Sequence, residues 1–228
     1  KRFRFEGGVT GASPGVDSFR ASKLTYQPGR VALDGEVDLK SGEMAVQAST
    51  VALDAEKDVM SATGKVRIDS PQGLVLAGKA ERDGKKRTMT FEGGVSLDGP
   101  EGKVSAGSAL IDDANGTMTF TGNVQGSMGE IKDFRASRIV RHAKTGDADI
   151  TDLTVREMAL GEGDSSQSPG GMSFNRISIE KAPKVSVKAG NVERITGGVD
   201  FSLQSAKPGE APMHVLADQA EFLYNAQG

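Results

Sequence analysis

Cysteine and tryptophan are absent from the 228 residues, and histidine and tyrosine occur twice each. Without cysteine there is no disulfide, no iron–sulfur cluster and no thiolate zinc site. His142 and His214 leave little material for acid–base catalysis or a metal centre. His142 sits in the basic turn Arg141-His142-Ala143-Lys144, and His214 opens a strand with no base or nucleophile beside it in the sequence. No apolar run approaches the roughly 20 residues that cross a bilayer as a helix. A net charge of −3 argues against general nucleic-acid binding. The serine-hydrolase elbow, the HExxH zinc helix, the P-loop and the dinucleotide glycine loop are all missing. Asp147, Asp149 and Asp152 lack the glycine and distal glutamate of a calcium loop and read as strand ends. The expectation is a protein without catalysis, cofactor or metal. The chain opens on Lys1 rather than methionine, so a signal peptide or membrane anchor upstream of Lys1 is compatible with it.

Glycine, by contrast, is abundant, at 30 residues, nearly twice the average share of about 7%. Many of these glycines fall in one recurring phrase. It reads Phe5-Glu6-Gly7-Gly8-Val9, Leu33-Asp34-Gly35-Glu36-Val37, Ala62-Thr63-Gly64-Lys65-Val66, Phe91-Glu92-Gly93-Gly94-Val95 and Phe120-Thr121-Gly122-Asn123-Val124. The valines step by 28, 29, 29 and 29 residues, and a sixth copy ends at Val199. A second phrase keeps step with it: Ala21-Ser22-Lys23-Leu24, Ala48-Ser49-Thr50-Val51, Ala77-Gly78-Lys79-Ala80, Ala106-Gly107-Ser108-Ala109 and Ala136-Ser137-Arg138-Ile139. Polar turns follow, such as Asp54-Ala55-Glu56-Lys57-Asp58, Asp83-Gly84-Lys85-Lys86 and Asp112-Asp113-Ala114-Asn115-Gly116. The sequon Asn115-Gly116-Thr117 is accounted for by such a turn.

Within each unit the period is two. Met89, Phe91, Gly93, Val95 and Leu97 share one face, alternating with Thr88, Thr90, Glu92, Gly94 and Ser96; Leu74, Leu76 and Gly78 share another. Such alternation predicts strands with one apolar face. A unit of about 29 residues is then two strands and two turns, and it buries its apolar face only by stacking on its neighbours. The predicted fold is all-β: an elongated, twisted β-jellyroll or folded-over antiparallel sheet built from two-strand repeats. The glycine of each phrase is expected on the apolar face, as a kink or bulge where the sheet turns a corner. One domain over 1–228 is expected, with a loop or hinge at 161–171, where GEGDSSQSPGG has almost no apolar content.

The apolar face collects Phe3, Phe5, Val9, Val37, Met44, Val46, Val66, Leu76, Met89, Phe91, Val95, Met118, Phe120 and Val124. In a closed roll these are core. In a sheet that does not close they line a greasy groove suited to acyl chains, since methionine adapts its shape. Lys85, Lys86, Arg87, Arg135 and Arg138 are candidates for phosphate headgroups, against the plainer reading of charges that keep a repeat protein soluble.

The run Phe120-Thr121-Gly122-Asn123-Val124-Gln125-Gly126-Ser127-Met128-Gly129-Glu130-Ile131, with the alanine phrase and polar turn around it, resembles the OstA-like family of periplasmic lipopolysaccharide-transport proteins, of the LptA and LptC type. The resemblance spans about 1–140 and again 195–228. It implies a partly open jellyroll in the periplasm that holds the acyl chains of lipopolysaccharide. It also implies head-to-tail contact with related β-jellyroll proteins or with itself, in outer-membrane biogenesis. The rival expectation is a structural β-solenoid with a sealed core and no lipid.

Overall fold

The period of two is realised, in the computed structural model, as fourteen strands and no helix among the described residues. These are 1–13, 15–100, 102–128, 131–159, 174–188, 191–205 and 209–221. The strands are β1 (Phe3–Ser13), β2 (Val16–Gln27), β3 (Arg30–Ser41), β4 (Met44–Asp54), β5 (Val59–Ser70), β6 (Gly73–Asp83), β7 (Thr88–Gly99), β8 (Gly102–Asp112), β9 (Thr117–Met128), β10 (Ile131–His142), β11 (Ala148–Ala159), β12 (Phe174–Lys188), β13 (Asn191–Ser205) and β14 (Met213–Glu221). Neighbours in the sheet are neighbours in the chain. By packing, the chain divides into two compact units, Lys1–Phe120 and Thr121–Gly228. The expected loop at 161–171 and the terminal Phe222–Gly228 lie outside the described residues.

In the first unit every repeat turns a corner at the same place. Asp34 pairs with Thr50 and Val37 with Ala48, so Gly35 and Glu36 together face the single residue Ser49. Both take left-handed backbone, at φ 78° and 49°. The same two-residue step occurs at Gly7-Gly8, Gly64-Lys65 and Gly93-Gly94, and in the second unit at Gly122-Asn123 and Gly197-Gly198. Consecutive left-handed residues make a bulge that bends the strand.

The two bend positions differ in what they tolerate. A Cβ on Gly35 would stand 2.8 Å from the Ser22 hydroxyl, one on Gly64 2.5 Å from the Ser49 hydroxyl, and one on Gly93 3.2 Å from the Cα of Gly78. At the second position, a Cβ on Gly8, Gly94 or Gly198 would meet nothing within 4 Å. That is why Glu36, Lys65 and Asn123 are accepted there. It also explains the second phrase: the residue after its alanine is serine or glycine because the next strand's bend glycine lies against it. Ser22 and Ser49 donate hydrogen bonds to the carbonyls of Gly35 and Gly64, each at 3.1 Å. The bend glycines are therefore exposed or half-buried at an outer corner, not on the buried face as the alternation suggested. The bulge adds one residue, which takes the glycine out of the inward set.

The inward face is a ladder of large against small side chains. Val9 stands opposite Ala21, Val37 opposite Ala48, Val66 opposite Ala77 and Val95 opposite Ala106. All of these but Val9 are buried. With no helix to cover it, a single sheet buries one face by folding across its own width at the bends.

In the second unit the buried set is richer in isoleucine. Ile139, Leu153, Ile177, Ile179 and Ile195 are almost wholly enclosed. Val199 opposite Ala217 restores the valine–alanine pair at the sixth phrase. The runs Met172–Ile179 and Lys184–Val187 read as separate strands in the sequence, with Pro183 between them. Their described parts belong to one strand, β12. Pro183 falls between the paired residues Lys181 and Lys184, where the register shifts and no ladder bond is asked of its nitrogen.

The asymmetry of the bend predicts opposite outcomes at adjacent glycines. Gly93→Ala should destabilise the protein by about 1–3 kcal/mol in urea unfolding, from strain and the clash with Gly78. Gly94→Asn should change stability by less than about 1 kcal/mol, since asparagine tolerates this backbone. Equal effects at the two positions would contradict the packing described.

Candidate functional site

Three rows of side chains share the inward face of the first unit. The row at the bend is the valine–alanine ladder. On the side nearer the polar turns runs Phe5, Leu24, Leu33, Val51, Ala62, Ala80, Phe91 and Ala109, each opposite the next. Two residues further out, at the edge beside the turns, lie Phe3, Tyr26, Val31, Leu53, Met60, Arg82, Met89 and Ile111.

Burial falls from the bend to this outer row and from the middle strands to β1. Val66 and Phe91 are 1% and 2% exposed, whereas Leu53 is 41% and Phe5 54% exposed. Phe3 and Tyr26 are exposed as well, their ring centroids 6.1 Å apart and tilted by 34°. The outer row is an apolar lip on the inward face.

The candidates read from the sequence divide accordingly. Val37, Val46, Val66, Phe91, Val95, Phe120 and Val124 are buried; Val9, Met44, Met89 and Met118 are half-buried; Phe3 and Phe5 are exposed. Leu76 does not belong with them. It points outward, between Arg67 and Ser96, at 41% exposure. Ala77 is the inward residue, opposite Val66, so the face drawn through Leu74, Leu76 and Gly78 was one residue out of phase. Tyr26, Leu53, Met60 and Ile111 were missed. Their signal was present: each lies two residues from a buried ladder residue and next to a turn.

The basic candidates on the turn are engaged there. The Lys86 ammonium is 3.0 Å from the Asp83 carboxylate, and the Lys85 ammonium donates to the Glu56 carbonyl at 2.8 Å. Arg87 has left-handed backbone at φ 57°, and its carbonyl accepts from the Asp113 amide at 3.0 Å. Arg135 and Arg138 are exposed on β10, opposite Thr154 and Thr151. His214, which has no sequence neighbour to act on it, has a spatial one. Its Nε2 lies 2.8 Å from Oδ1 of Asp200 on the adjoining strand.

The turns below the lip are stacked. The Ala55 amide donates to the Gly29 carbonyl at 2.7 Å, and Gly84 to Asp58 at 2.8 Å. Each turn is closed by an aspartate whose Oδ1 accepts the backbone amide three residues on: Asp54 from Lys57 at 3.1 Å, Asp83 from Lys86 at 2.9 Å and Asp112 from Asn115 at 3.0 Å. These backbone hydrogen bonds are the main reason that all three carboxyls are held below the ordinary aspartate value of 3.8. Neighbouring cations, Arg30 and Lys57, Lys86, and Arg87 respectively, add to the effect.

Among the described residues no group of three histidine, cysteine or acidic side chains is placed to hold a metal. A family model described as LptA/(LptD N-terminal domain) LPS transport protein matches residues 16–147. No curated protein matches the chain.

The lowered carboxyls set the sign of a pH effect. A folded-state pKa below the unfolded one contributes stability above the unfolded value and loses it as pH falls through the folded value. Asp112→Ala should therefore melt below the wild type at pH 7, with the gap narrowing below pH 3.8. A thermal-melt series against pH checks this; a gap that stays constant would remove the carboxylate charge as the cause.

Proposed function

The chain belongs to the family of LptA and LptD N-terminal domains, LPS transport proteins, and on that premise we propose that it is a non-catalytic periplasmic module that holds the acyl chains of lipopolysaccharide. The observation that carries this reading is the lip. Large apolar side chains on the inward face of the first unit, Phe3, Phe5, Tyr26 and Leu53, are exposed although the same face is sealed at Val66 and Phe91. A lone exposed leucine needs no explanation, but a same-face row of them does. Acyl chains laid along it gain about 0.8 kcal/mol per buried CH₂.

The burial of Phe91 supports one placement of the lipid. It would lie at the lip and along β1, not displace the packed ladder. The first strand supports the bridging part of the reading. Among the described residues β1 has only β2 beside it in the sheet order, and its other edge offers main-chain donors and acceptors to a related domain or a second copy.

The rival reading, a scaffold with a sealed core, draws on the near-complete burial of Val66, Val95 and Phe91. Substitution of Phe91 or Phe120 cannot separate the two, because both side chains are core and a charge there unfolds either protein. The exposed lip can. Native mass spectrometry on protein from a lipopolysaccharide-producing host should show a lipid A-bearing adduct. Phe5→Asp with Leu53→Asp should reduce it at least about tenfold, with the melting temperature held to within a few degrees. Absence of the adduct in the wild type, or its persistence in a folded double variant, would favour the scaffold.

A further inference from the structure

Of the inward-facing strand positions of β1 to β8, one carries a cation, Arg82. Its parity is set by Ala80, buried two residues before it, and by its register partners Met60 and Met89, both half-buried members of the outer row. Every other lysine and arginine in these strands lies on the outward face or at a bend. Lys23 and Lys79, for example, face Asp34 and Glu92 across the outer surface. Arg82 is exposed, and among the described residues no carboxylate lies within ion-pair distance of it. The adjacent Asp83 points to the other face, where Lys86 engages it. The nearby turn cation Lys85 is committed in the same way, to the Glu56 carbonyl.

We infer that Arg82 is the contact for a phosphate group of the lipid whose acyl chains occupy the lip, an inference that rests on the lipid-binding function proposed above. The chemistry follows from placement. The arginine stem covers apolar surface between two methionines while the guanidinium reaches water. An amphiphile laid along the row brings its apolar part against Met60, Met89 and Leu53 and its anionic head to the edge. That is where the Arg82 guanidinium stands, without a carboxylate partner among the described residues. Its planar fork makes two parallel hydrogen bonds to phosphate oxygens, which a lysine ammonium does not reproduce. Of the other candidates for headgroup binding in this unit, Lys85 and Lys86 would each have to give up a partner first, and Arg87 lies in the turn, outside the row of inward-facing strand positions.

The test compares two probes with the same acyl chains, bisphosphorylated lipid A and its enzymatically dephosphorylated form, on the full chain. Affinities come from competition with a fluorescent lipid A. The wild type should prefer the phosphorylated probe by about tenfold or more, the scale of one charge-assisted contact. Arg82→Gln should abolish that preference by weakening the phosphorylated probe alone, and Arg82→Lys should retain part of it. Lys40→Gln removes an exposed cation from the outward face and should leave the preference intact. An Arg82→Gln protein with the full wild-type preference would overturn the assignment of Arg82 while leaving the lip reading standing. A wild type that binds neither probe would overturn both. A wild type that binds both equally would overturn the phosphate contact alone.

Discussion

Two consecutive left-handed residues in the middle of each repeat are the constraint on which the structure depends. A flat antiparallel sheet of this composition would leave one apolar face in water. Bending each odd strand of the first unit at its left-handed pair lets the face fold on itself and lets valine meet alanine across the strands. The bend in turn dictates sequence beyond itself. At the first position of β3 and β5 a Cβ has no room, since one on Gly35 or Gly64 would stand less than 3 Å from the serine facing it, and one on Gly93 in β7 would stand 3.2 Å from Gly78. The two recurring phrases are therefore one packing contact seen from its two strands.

The same bend decides where the apolar face is closed and where it is open. Side chains at the corner are enclosed from both flanks, so Val37, Val66 and Val95 are almost without solvent contact. Furthest from the corner burial falls away, and the row through Tyr26, Leu53 and Met60 is left partly in water. A core and an amphiphile-binding lip can thus coexist on one face. Chain stability belongs to the first, and lipid capture, on our reading, to the second. The stacked aspartate-closed turns hold the strand ends beneath this lip without drawing on its apolar side chains.

Much of this was legible in the residues. Strand character, the 29-residue period, the turns and the role of the glycine phrase as a corner all follow from alternation and spacing. The side of the sheet on which particular residues fall was less so. Alternation counted through a bulge slips by one, which put the bend glycines on the inside; on β6 the phase was taken from the bulky Leu74 and Leu76, whereas Ala77 holds the inward position opposite Val66. The bend glycines and Leu76 are outside in the structure. The two runs on either side of 180–183 join in β12, where Pro183 is accommodated because the ladder itself shifts between Lys181 and Lys184. The pairing of His214 with Asp200 was hidden because the two lie fourteen residues apart and meet only across a strand pair.

Local pattern alone was enough for fold class and for membership of a repeat family, because strand period and turn chemistry are properties of neighbouring residues. It was not enough to tell core from lip. Phe5 and Phe91 occupy the same place in their phrases, yet one is 54% exposed and the other 2%. The difference comes from the strands that flank each one: β6 and β8 on the two sides of β7, and β2 alone beside β1 among the described residues. That is a property of the folded sheet. The isolation of Arg82 among apolar side chains is of the same kind: its neighbours in the chain are acidic, and only strand register sets Met60 and Met89 beside it and turns those acids away.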